Sequence, residues 1–556
     1  MSTSIIRGKP LSEDAVGALT LGGFLREVCA ANAAKESMVY KLPDGSIVRL
    51  KYAEVWEEAL IVARALVARG VTKDTRVGLM VTNRPEWVTA MFGIALTGAT
   101  CVALSTFSKG AELEYALRVA DVSLLIFERS VLNRDFANEL IELCPDLGTA
   151  KAPMYSDRLP HLRRAVCIGD ACPAGAFESW NDFLHSGPLA SASLIDAMSA
   201  EVAPTDRGFI FFSSGSTAKP KAIQHTHRAA ALQCWRWRTF FGVDPNVRTW
   251  TANGFFWSGN FAMAIGATFA AGGCLVLQSN FAPAEALGLL QSERVSLPLA
   301  WPHQWPRLVD DPAYSTTDLS SLRYVGDTSP LRAHPTVKSN WQEPMSAYGS
   351  TETFTLVTVY PSGTPAADAE GNNGLPVAGN TIRIVDPLSG QVVPLGQAGE
   401  IAVKGPTLMV GYLRMPIEET FDEAGFFRTG DGGFIDERGR LHWQGRLNDI
   451  IKTGGANVSP LEINAVLVQH PGIKIAATVG VPHDTLGEMV VACVVLEEGA
   501  DLNEQAAKSY AATQLSSYKV PRRVIFIAES DLEMTSSNKI KTAQLRELAA
   551  KRLADV

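Results

Sequence analysis

The chain contains 556 residues, which at roughly 100–200 residues per domain corresponds to about three to five units and excludes a single small module. Apolar residues make up 46% of the chain and charged residues 19%, a balance that can bury a core and excludes a wholly disordered protein. The 50 Lys and Arg residues against 58 Asp and Glu residues give a formal net charge of −8, which disfavours nucleic acid as a partner.

The cysteine pattern and the N-terminus together predict a reduced, cytoplasmic location. The eight cysteines include no Cys-x-x-Cys pair, and no histidine lies at a spacing typical of a zinc site. Residues 1–10 lack the continuous apolar stretch of a signal peptide, so neither secretion nor a transit peptide is indicated.

The first part of the chain alternates between helical and strand-like patterns. Apolar residues recur at near-helical spacing over residues 52–70, and a turn leads into a strand at 76–81. The next helix begins at Pro85, which suits a first helical turn, and ends before Gly98. An apolar run follows at 99–104. This alternation is typical of a parallel α/β sheet.

Three further regions follow along the chain. A second α/β stretch occupies residues 205–350, and short strands separated by Gly and Pro predict a β-rich subdomain at 375–445. The last 108 residues, 449–556, carry their own strand and helix signals, enough for a small domain. The buried-strand candidates of the second α/β stretch are 209–212, 273–277 and 322–325.

Residues 249–284 contain no charged side chain and must be distinguished from a membrane span. A transmembrane helix needs about 20 consecutive, predominantly apolar residues. Asparagines, glycines and a serine interrupt the apolar residues of this stretch. We therefore predict a buried, pocket-lining region here and no membrane span.

The sharpest local signal is the segment Phe-Ile-Phe-Phe-Ser-Ser-Gly-Ser-Thr-Ala-Lys-Pro-Lys at residues 209–221. Small side chains let backbone N–H groups approach phosphate oxygens, while hydroxyl groups and lysines add donors and positive charge. The Walker A pattern Gly-x-x-x-x-Gly-Lys-Ser/Thr is absent from the segment. On its own it predicts either an anion-binding loop or an ordinary surface turn.

Four more motifs follow this loop in order. They are Tyr-Gly-Ser-Thr-Glu-Thr at 348–353, Phe-Arg-Thr-Gly-Asp at 427–431, Gly-Arg-Leu-Asn-Asp-Ile-Ile-Lys-Thr-Gly-Gly-Ala-Asn-Val-Ser-Pro-Leu-Glu-Ile at 445–463, and Thr-Ser-Ser-Asn-Lys-Ile at 535–540. With these motifs the sequence closely resembles the adenylate-forming superfamily of acyl-CoA synthetases, nonribosomal-peptide adenylation domains and luciferases. The resemblance extends from about residue 52 to residue 546.

The resemblance implies a multidomain α/β fold and a two-step reaction. A large N-terminal domain at 1–447 would contain two α/β subdomains and a β-rich one, and a small, mobile α+β lid would occupy 448–556. The implied activity is that of an AMP-forming acid–thiol ligase that uses ATP, Mg²⁺ and CoA. A carboxylate attacks the α-phosphate of ATP to give an acyl-adenylate and pyrophosphate, and the thiol of CoA then takes the acyl group and releases AMP.

The resemblance also assigns residues to the phosphates of ATP. Thr351 would contact a phosphate, and Glu352 would hold Mg²⁺ directly or through water, since a hard cation prefers oxygen ligands. Lys539, carried by the lid, would offset the repulsion between the attacking carboxylate and the α-phosphate. Without the motifs, Glu352 and Lys539 would be interpreted as solvated surface side chains. The implied ligands of the β- and γ-phosphates are Ser213, Ser214, Gly215, Ser216, Thr217 and Lys221.

Two loops and a hairpin are implied to bind the nucleoside. Tyr348 would lie against the adenine face, although a core tyrosine is the alternative. Residues 434–444 resemble a hairpin, which could return Arg446 to Asp431. By the resemblance Asp431 accepts hydrogen bonds from the ribose hydroxyls and Arg446 assists, whereas by themselves the two would be a surface ion pair. The remaining residues of the two adenine loops are Gly349, Ser350, Gly326, Asp327 and Thr328.

Thioester formation requires the lid to move, because the pantetheine arm must reach the acyl carbonyl. The resemblance places the hinge at Asn448 and a thiol-tunnel loop at Lys452, Gly454 and Gly455, where glycines permit close backbone approach. The sequence identifies no general base for the thiol. His225 and His227 adjoin the phosphate loop, and satisfied surface histidines are the preferred interpretation over catalytic ones.

The acid-binding pocket is predicted from an aromatic-rich segment. Phe256, Trp257 and Gly259 are the pocket candidates, which would suit a bulky aromatic, alicyclic or fatty acid. The neighbouring aromatic residues Trp250, Phe255 and Phe261 fit a pocket wall and core packing equally well.

Departures from the usual motifs keep alternatives open. Ala218 and Asn538 stand where glycine is common, Trp257 where many members have histidine, and the hinge position is Asn448. One hypothesis is therefore a weakened adenylation step with thioester formation retained. The others are an acyl-AMP ligase that loads a carrier protein, and a non-catalytic acyl-adenylate or nucleotide-binding protein. The oligomeric state is open, with a homodimer as one alternative.

Overall fold

The protein has a large N-terminal α/β domain and a small C-terminal domain. Two parallel sheets and one antiparallel sheet build the large domain, and a fourth sheet belongs to the small one. The predicted boundary between residues 447 and 448 stays a prediction, because residue 448 lies outside the described residues. The computed structural model describes residues 3–42, 44–108, 110–213, 220–302, 304–447, 449, 451–453, 456–484, 486–515, 519–534 and 539–554.

The first sheet has eight strands, two of which flank the predicted phosphate loop. Six of its strands are parallel, as the alternating pattern predicts, and the last two are antiparallel to their neighbours. In spatial order the strands are Phe177–Ser179, Arg164–Ile168, Leu124–Glu128, Arg76–Met80, Thr100–Ala103, Arg207–Phe212, Ala222–Thr226 and Gly411–Tyr412.

The second and third sheets complete the large domain. The second sheet has four parallel strands and one antiparallel edge strand, in the order Leu297–Leu299, Arg248–Thr251, Cys274–Leu277, Glu36–Lys41 and Ile47–Lys51. The third sheet is antiparallel and confirms the predicted β-rich subdomain. Its strands are, in order, Ile5–Arg7, Thr381–Val385, Gly399–Lys404, Phe427–Ile435 and Leu441–Arg446.

The small domain folds around its own sheet, as its sequence predicts. Two apolar clusters cover the two faces of this sheet. The strands are Ala456–Val458, Ile451–Thr453, Gly487–Leu496 and Ile473–His483 in spatial order, with Arg523–Phe526 also paired to Gly487–Leu496. Two short ribbons elsewhere consist of Met345–Tyr348 with Thr358–Tyr360 and Ser130–Val131 with Arg134–Asp135.

Helices cover the sheets of both domains. The α-helices are Leu21–Asn32, Tyr52–Ala68, Pro85–Leu96, Gly110–Val119, Phe136–Leu143, Asp146–Thr149, Trp180–His185, Ala192–Ala200, His227–Phe241, Ser258–Asn260, Ala267–Ala271, Pro283–Ser292, Trp305–Val309, Ala366–Ala369, Ile417–Thr420, Pro460–Leu467, Glu504–Ala512 and Thr542–Ala554. A π-helix spans Phe261–Gly266. The 3₁₀ helices are Glu13–Ala15, Gly187–Leu189, Tyr314–Thr316, Pro330–Ala333, Thr351–Thr353 and Glu529–Asp531.

Residues 249–284 are largely buried in the large domain, and within the described parts of the chain no helix is long and apolar enough to cross a membrane. The predicted strand at 322–325 is wrong. Leu322 and Val325 are buried there, but the backbone N–H groups of Arg323 and Tyr324 both donate to Ser296 O, so no regular ladder forms.

The helices Tyr52–Ala68 and Pro85–Leu96 pack closely because Gly93 lies at their contact. A Cβ atom at Gly93 would lie 2.7 Å from Val62 Cγ1 and 3.0 Å from Ala59 O. The contact therefore has no room for another methyl group.

We expect Gly93→Ala to lower the free energy of unfolding by about 1–3 kcal/mol, because overpacking outweighs the gain in helix propensity. Gly288→Ala is the matched control: Gly288 is also helical but has nothing within 4 Å of its added Cβ. This control should stabilise the protein by about 0.5–1 kcal/mol. Urea unfolding monitored by tryptophan fluorescence checks both values, and equal effects would contradict the close packing.

Candidate active site

The phosphate loop begins and ends on neighbouring strands of the first sheet. Ser213 N donates to Lys221 O at 3.0 Å, and Lys221 N donates to Ser213 Oγ at 3.0 Å, so these residues close the base of the loop. The predicted phosphate ligands Ser214, Gly215, Ser216 and Thr217 lie outside the described residues.

Tyr412 connects Lys221 to the predicted metal ligand. The Nζ atom of Lys221 lies 4.5 Å from the centre of the Tyr412 ring, and the Tyr412 hydroxyl donates to Glu352 Oε1 at 2.8 Å. Burial raises the pKa of Tyr412, with a further contribution from the Glu352 carboxylate, so its hydroxyl stays a donor. The structure thus brings Tyr412 to Glu352, 60 positions away in the sequence, and to Lys221, 191 positions away.

Glu352 fits the predicted role in Mg²⁺ binding. Its carboxylate is half-buried and accepts the hydrogen bond from Tyr412. Within the described ranges, no group of three or more His, Cys, Asp or Glu side chains could hold a metal ion alone. Mg²⁺ is commonly bound through one or two carboxylates together with substrate phosphates and water, so a single carboxylate beside a phosphate loop suits it.

Buried side chains support the turn that carries Thr351 and Glu352. His225 Nε2 lies 2.7 Å from Thr351 O, and the His225 ring packs edge-on against Phe354 at 4.9 Å. The expectation of surface histidines is wrong, because both His225 and His227 are fully buried. Burial lowers the pKa of each imidazole to about 4, so both are neutral at pH 7.

Tyr348, Asp431 and Arg446 form a second group of connected side chains. The Tyr348 hydroxyl donates to Asp431 Oδ2 at 2.7 Å, and Arg446 Nε lies 3.0 Å from Asp431 Oδ1. The predicted hairpin is confirmed, since Asp431 and Arg446 face each other in its register. Asp431 Oδ1 is buried and forms this ion pair, and it accepts no hydrogen bond of regular geometry from the described residues.

Burial determines the titration of this group. It raises the pKa of Asp431, although the Arg446 charge opposes the shift, and it raises the pKa of Tyr348 well above its usual value. Asp431 therefore presents a buried acceptor whose oxygen Oδ1 is available for a hydroxyl donor. That is the property required of a group that binds ribose.

The two predicted adenine loops differ in their packing. The Tyr348 ring is largely buried, and Gly349 has no room for a side chain, since a Cβ would lie 2.3 Å from Thr355 O. Ser350 precedes the 3₁₀ turn, and its N–H donates to Thr353 Oγ1 at 3.0 Å. The roles of all three residues in nucleotide binding stay predictions.

The second loop has polar contacts of its own. Asp327 is exposed and lies 3.1 Å from Arg332 as an ion pair. Thr328 Oγ1 donates to Glu343 Oε1 at 2.5 Å, and the Glu343 carboxylate also closes the space above Gly326. The predicted adenine contact of these residues is likewise untested.

The aromatic residues between positions 250 and 261 differ in how deeply they are buried. Trp250, Phe255 and Phe261 are fully buried and belong to the core, whereas Trp257 is only half-buried and packs on Phe256 at 5.3 Å. A Cβ at Gly259 would meet nothing within 4 Å, so open space adjoins this residue. The use of this space as an acid-binding pocket stays a prediction.

Asn83 holds the pocket segment in place, a role that the sequence interpretation missed. Its Nδ2 donates to Asn253 O at 2.7 Å, and its Oδ1 accepts from Phe255 N at 3.0 Å. Asn83 belongs to the Asn-Arg-Pro-Glu-Trp segment, but only the tertiary structure brings it to residues about 170 positions away.

The residues expected on the lid are only partly described. Lys452 and Lys539 are exposed, and Lys452 N donates to Glu488 Oε2 at 2.8 Å. The predicted hinge Asn448 and the loop residues Gly454 and Gly455 lie outside the described residues. The predicted roles of these residues in the two half-reactions stay predictions.

Profiles of two known families match most of the chain. The sequence profile described as AMP-binding enzyme matches residues 25–413, and the profile of the AMP-binding enzyme C-terminal domain matches residues 462–539. The chain therefore belongs to the AMP-binding enzymes, which form the adenylate-forming superfamily, and it is an enzyme of that class.

Individual relatives are similar over almost their whole length. A 3-(7a-methyl-1,5-dioxo-octahydro-1H-inden-4-yl)propanoyl:CoA ligase of Mycobacterium tuberculosis is 30% identical, over 93% of this chain and 98% of the relative. A feruloyl-CoA synthase of an Amycolatopsis species is 28% identical, over 89% and 93% of the two chains. The crystal structure of the anthranilate CoA ligase AuaEII with anthranoyl-AMP superposes with a TM-score of 0.76 at 26% identity, over 97% and 99% of the chains.

We expect the affinity for adenosine to fall as the pH drops through the raised pKa of Asp431. The ionised carboxylate accepts ribose hydroxyls, whereas the protonated form loses acceptor capacity, so binding is strong above this pKa and weak below it. The decline should begin above the ordinary aspartate pKa of about 3.9. Calorimetric titration with adenosine, which has no titrating phosphate, measures the profile. Asp431→Asn should bind weakly at every pH, and a wild-type affinity constant down to pH 4 would contradict the assignment.

Proposed function

We propose that this enzyme is an AMP-forming carboxylate–CoA ligase that uses ATP, Mg²⁺ and CoA. The observation that supports it best is the pair of side-chain groups, Lys221–Tyr412–Glu352 and Tyr348–Asp431–Arg446, within a chain matched by both family profiles. The first group offers a cation and a metal-binding carboxylate for phosphates, and the second offers an acceptor for ribose. The CoA ligases among its relatives support CoA as the thiol.

In the first half-reaction, a carboxylate oxygen of the acid attacks the α-phosphorus of ATP. The bond between this phosphorus and the oxygen that bridges to the β-phosphate breaks, and pyrophosphate leaves. Bound Mg²⁺ supplies charge neutralisation on the phosphates. Asp431 holds the ribose, Lys221 adds positive charge beside the phosphates, and Lys539 offsets the repulsion between the two reacting anions.

In the second half-reaction, the sulfur of CoA attacks the acyl carbonyl and AMP leaves from the same carbon. The thiol loses its proton in this step, since thiolate is the nucleophile. The buried histidines His225 and His227 are neutral and packed against the protein, so we assign neither of them as the base. The lid loop at Lys452 would line the path of the thiol after the lid rotates about Asn448.

The acid is proposed to be bulky and apolar. Trp257 is half-buried and packs on Phe256, open space adjoins Gly259, and no charged residue lies between positions 249 and 284. Two of the compared CoA ligases act on a bicyclic propanoyl group and on a feruloyl group by their names, which favours a ring-containing acid.

The decisive experiment incubates the enzyme with ATP, Mg²⁺, CoA and a panel of aromatic, alicyclic and fatty acids, and identifies products by mass spectrometry. The proposal expects an acyl-CoA and AMP, with the highest yield for ring-containing acids. An acyl-adenylate that accumulates without thioester would instead indicate a carrier protein as acceptor. Thioester only from supplied acyl-adenylate would indicate a weakened adenylation step, and binding without turnover would indicate a non-catalytic protein.

Substitution of Lys539 should separate the half-reactions. We expect Lys539→Ala to slow pyrophosphate formation by at least about 100-fold, because one electrostatic stabiliser of a transition state typically contributes 10²–10³. Transfer from supplied acyl-adenylate to CoA should change by less than about threefold. The matched control is Lys541→Ala, which removes an exposed lysine two positions away that pairs with Glu533. Equal loss in both half-reactions would contradict the assigned role.

A further inference from the structure

The backbone directly after Glu352 adopts an unfavourable conformation. Phe354 has φ 47° and ψ 63°, and Thr355 has φ 91°, so two consecutive residues with side chains occupy a region that favours glycine. Such conformations persist where the surrounding structure imposes them, and they concentrate at ligand-binding sites. Something must therefore hold this turn in place.

Gln233 supplies hydrogen bonds that hold the left-handed turn at Phe354 and Thr355. This residue lies on the helix His227–Phe241 and is fully buried. Its Nε2 donates to Phe354 O at 2.6 Å and to Thr355 Oγ1 at 3.1 Å. Trp237, one helical turn further along, donates from Nε1 to the same Thr355 oxygen at 3.1 Å. Both residues of the left-handed turn are thus hydrogen-bonded to one helix.

Two further contacts constrain the segment around the turn. Met409 N donates to Glu352 O at 2.7 Å, and Gly349 packs against the Thr355 carbonyl without space for a side chain. The segment from Gly349 to Thr355 is thus held by contacts in addition to those of the helix. Loss of the helix contacts would leave the hydrogen bond from Met409 and the packing at Gly349 in place.

Gln233 acts through its donor and not through its acceptor. Its Oε1 is buried and accepts no hydrogen bond from the described residues. A leucine at this position has a similar volume and lacks the donor. A Gln233→Leu variant therefore tests the hydrogen bonds while the packing is largely retained.

We propose that Gln233 is a positioning residue, which sets the Glu352 carboxylate for the Mg²⁺–ATP complex by fixing the left-handed turn at Phe354 and Thr355. This proposal rests on the proposed function. It predicts that Gln233 affects the magnesium-dependent part of ATP binding and leaves the nucleoside contacts of Asp431 unchanged. If Gln233 only stabilised the fold, its substitution would weaken magnesium-dependent ATP binding and adenosine binding to the same extent.

The experiment measures binding by calorimetry for wild type and Gln233→Leu with three probes: ATP plus Mg²⁺, ATP plus EDTA, and adenosine. We expect the gain in ATP affinity on addition of Mg²⁺ to shrink about tenfold in the variant, while adenosine affinity stays within twofold. The control is Cys234→Ala, a buried neighbour on the same helix whose sulfur lies against Gly266; all three affinities should stay within twofold.

A second variant tests the same hydrogen bonds in case Gln233→Leu does not fold. Thr355→Val removes the hydroxyl that accepts from both Gln233 and Trp237 and keeps the branched shape, so it should reproduce the loss of the magnesium effect. An unchanged magnesium effect in both folded variants, or a parallel loss of adenosine affinity, would overturn the positioning role. If wild type itself bound neither ATP nor adenosine, the proposed function would fail first.

Discussion

The strand Ala222–Thr226 brings together Lys221 and Tyr412, two residues of the candidate active site. It is antiparallel to Arg207–Phe212 on one side and to Gly411–Tyr412 on the other. Gly411–Tyr412 comes from the chain segment between two strands of the β-rich subdomain, so this pairing connects that subdomain to the first sheet. The first pairing closes the phosphate loop at Ser213 and Lys221, and the second brings Tyr412 against Lys221. Glu352 itself lies outside this sheet, and the strand pairing fixes Tyr412, whose hydroxyl donates a hydrogen bond to the Glu352 carboxylate.

Burial gives the site much of its chemical character. Asp431 is held in a largely buried position between Tyr348 and Arg446, which keeps one oxygen bonded and the other available to a donor. Tyr412 presents its hydroxyl to Glu352 while its ring faces a lysine. In each group an aromatic hydroxyl orients a carboxylate, so the two carboxylates are fixed before any ligand arrives. Such preorganisation lowers the cost of binding.

The success of the sequence predictions depended on how local their signals were. The helix Pro85–Leu96 and the hairpin around Asp436 follow from nearby residues, and both are confirmed. The segment 322–325 has the apolar composition of a strand, but composition does not provide a partner, and its N–H groups bond to a single carbonyl. His225 and His227 were predicted to lie at the surface but are buried. Burial depends on which distant segments pack over a residue, and the local sequence does not show this.

By itself, the sequence determined the α/β class, the β-rich subdomain, the separate C-terminal unit and the ordered motifs that identify an adenylate-forming enzyme, because each is written in contiguous residues. Only the tertiary structure decided that Arg207–Phe212 joins the first sheet while Glu36–Lys41 joins the second. It also revealed Asn83 and Gln233 as supports of the pocket and of the Glu352 turn. These contacts join residues more than 100 positions apart. The sequence does not show which distant backbone group the side-chain amide of an Asn or Gln will bond.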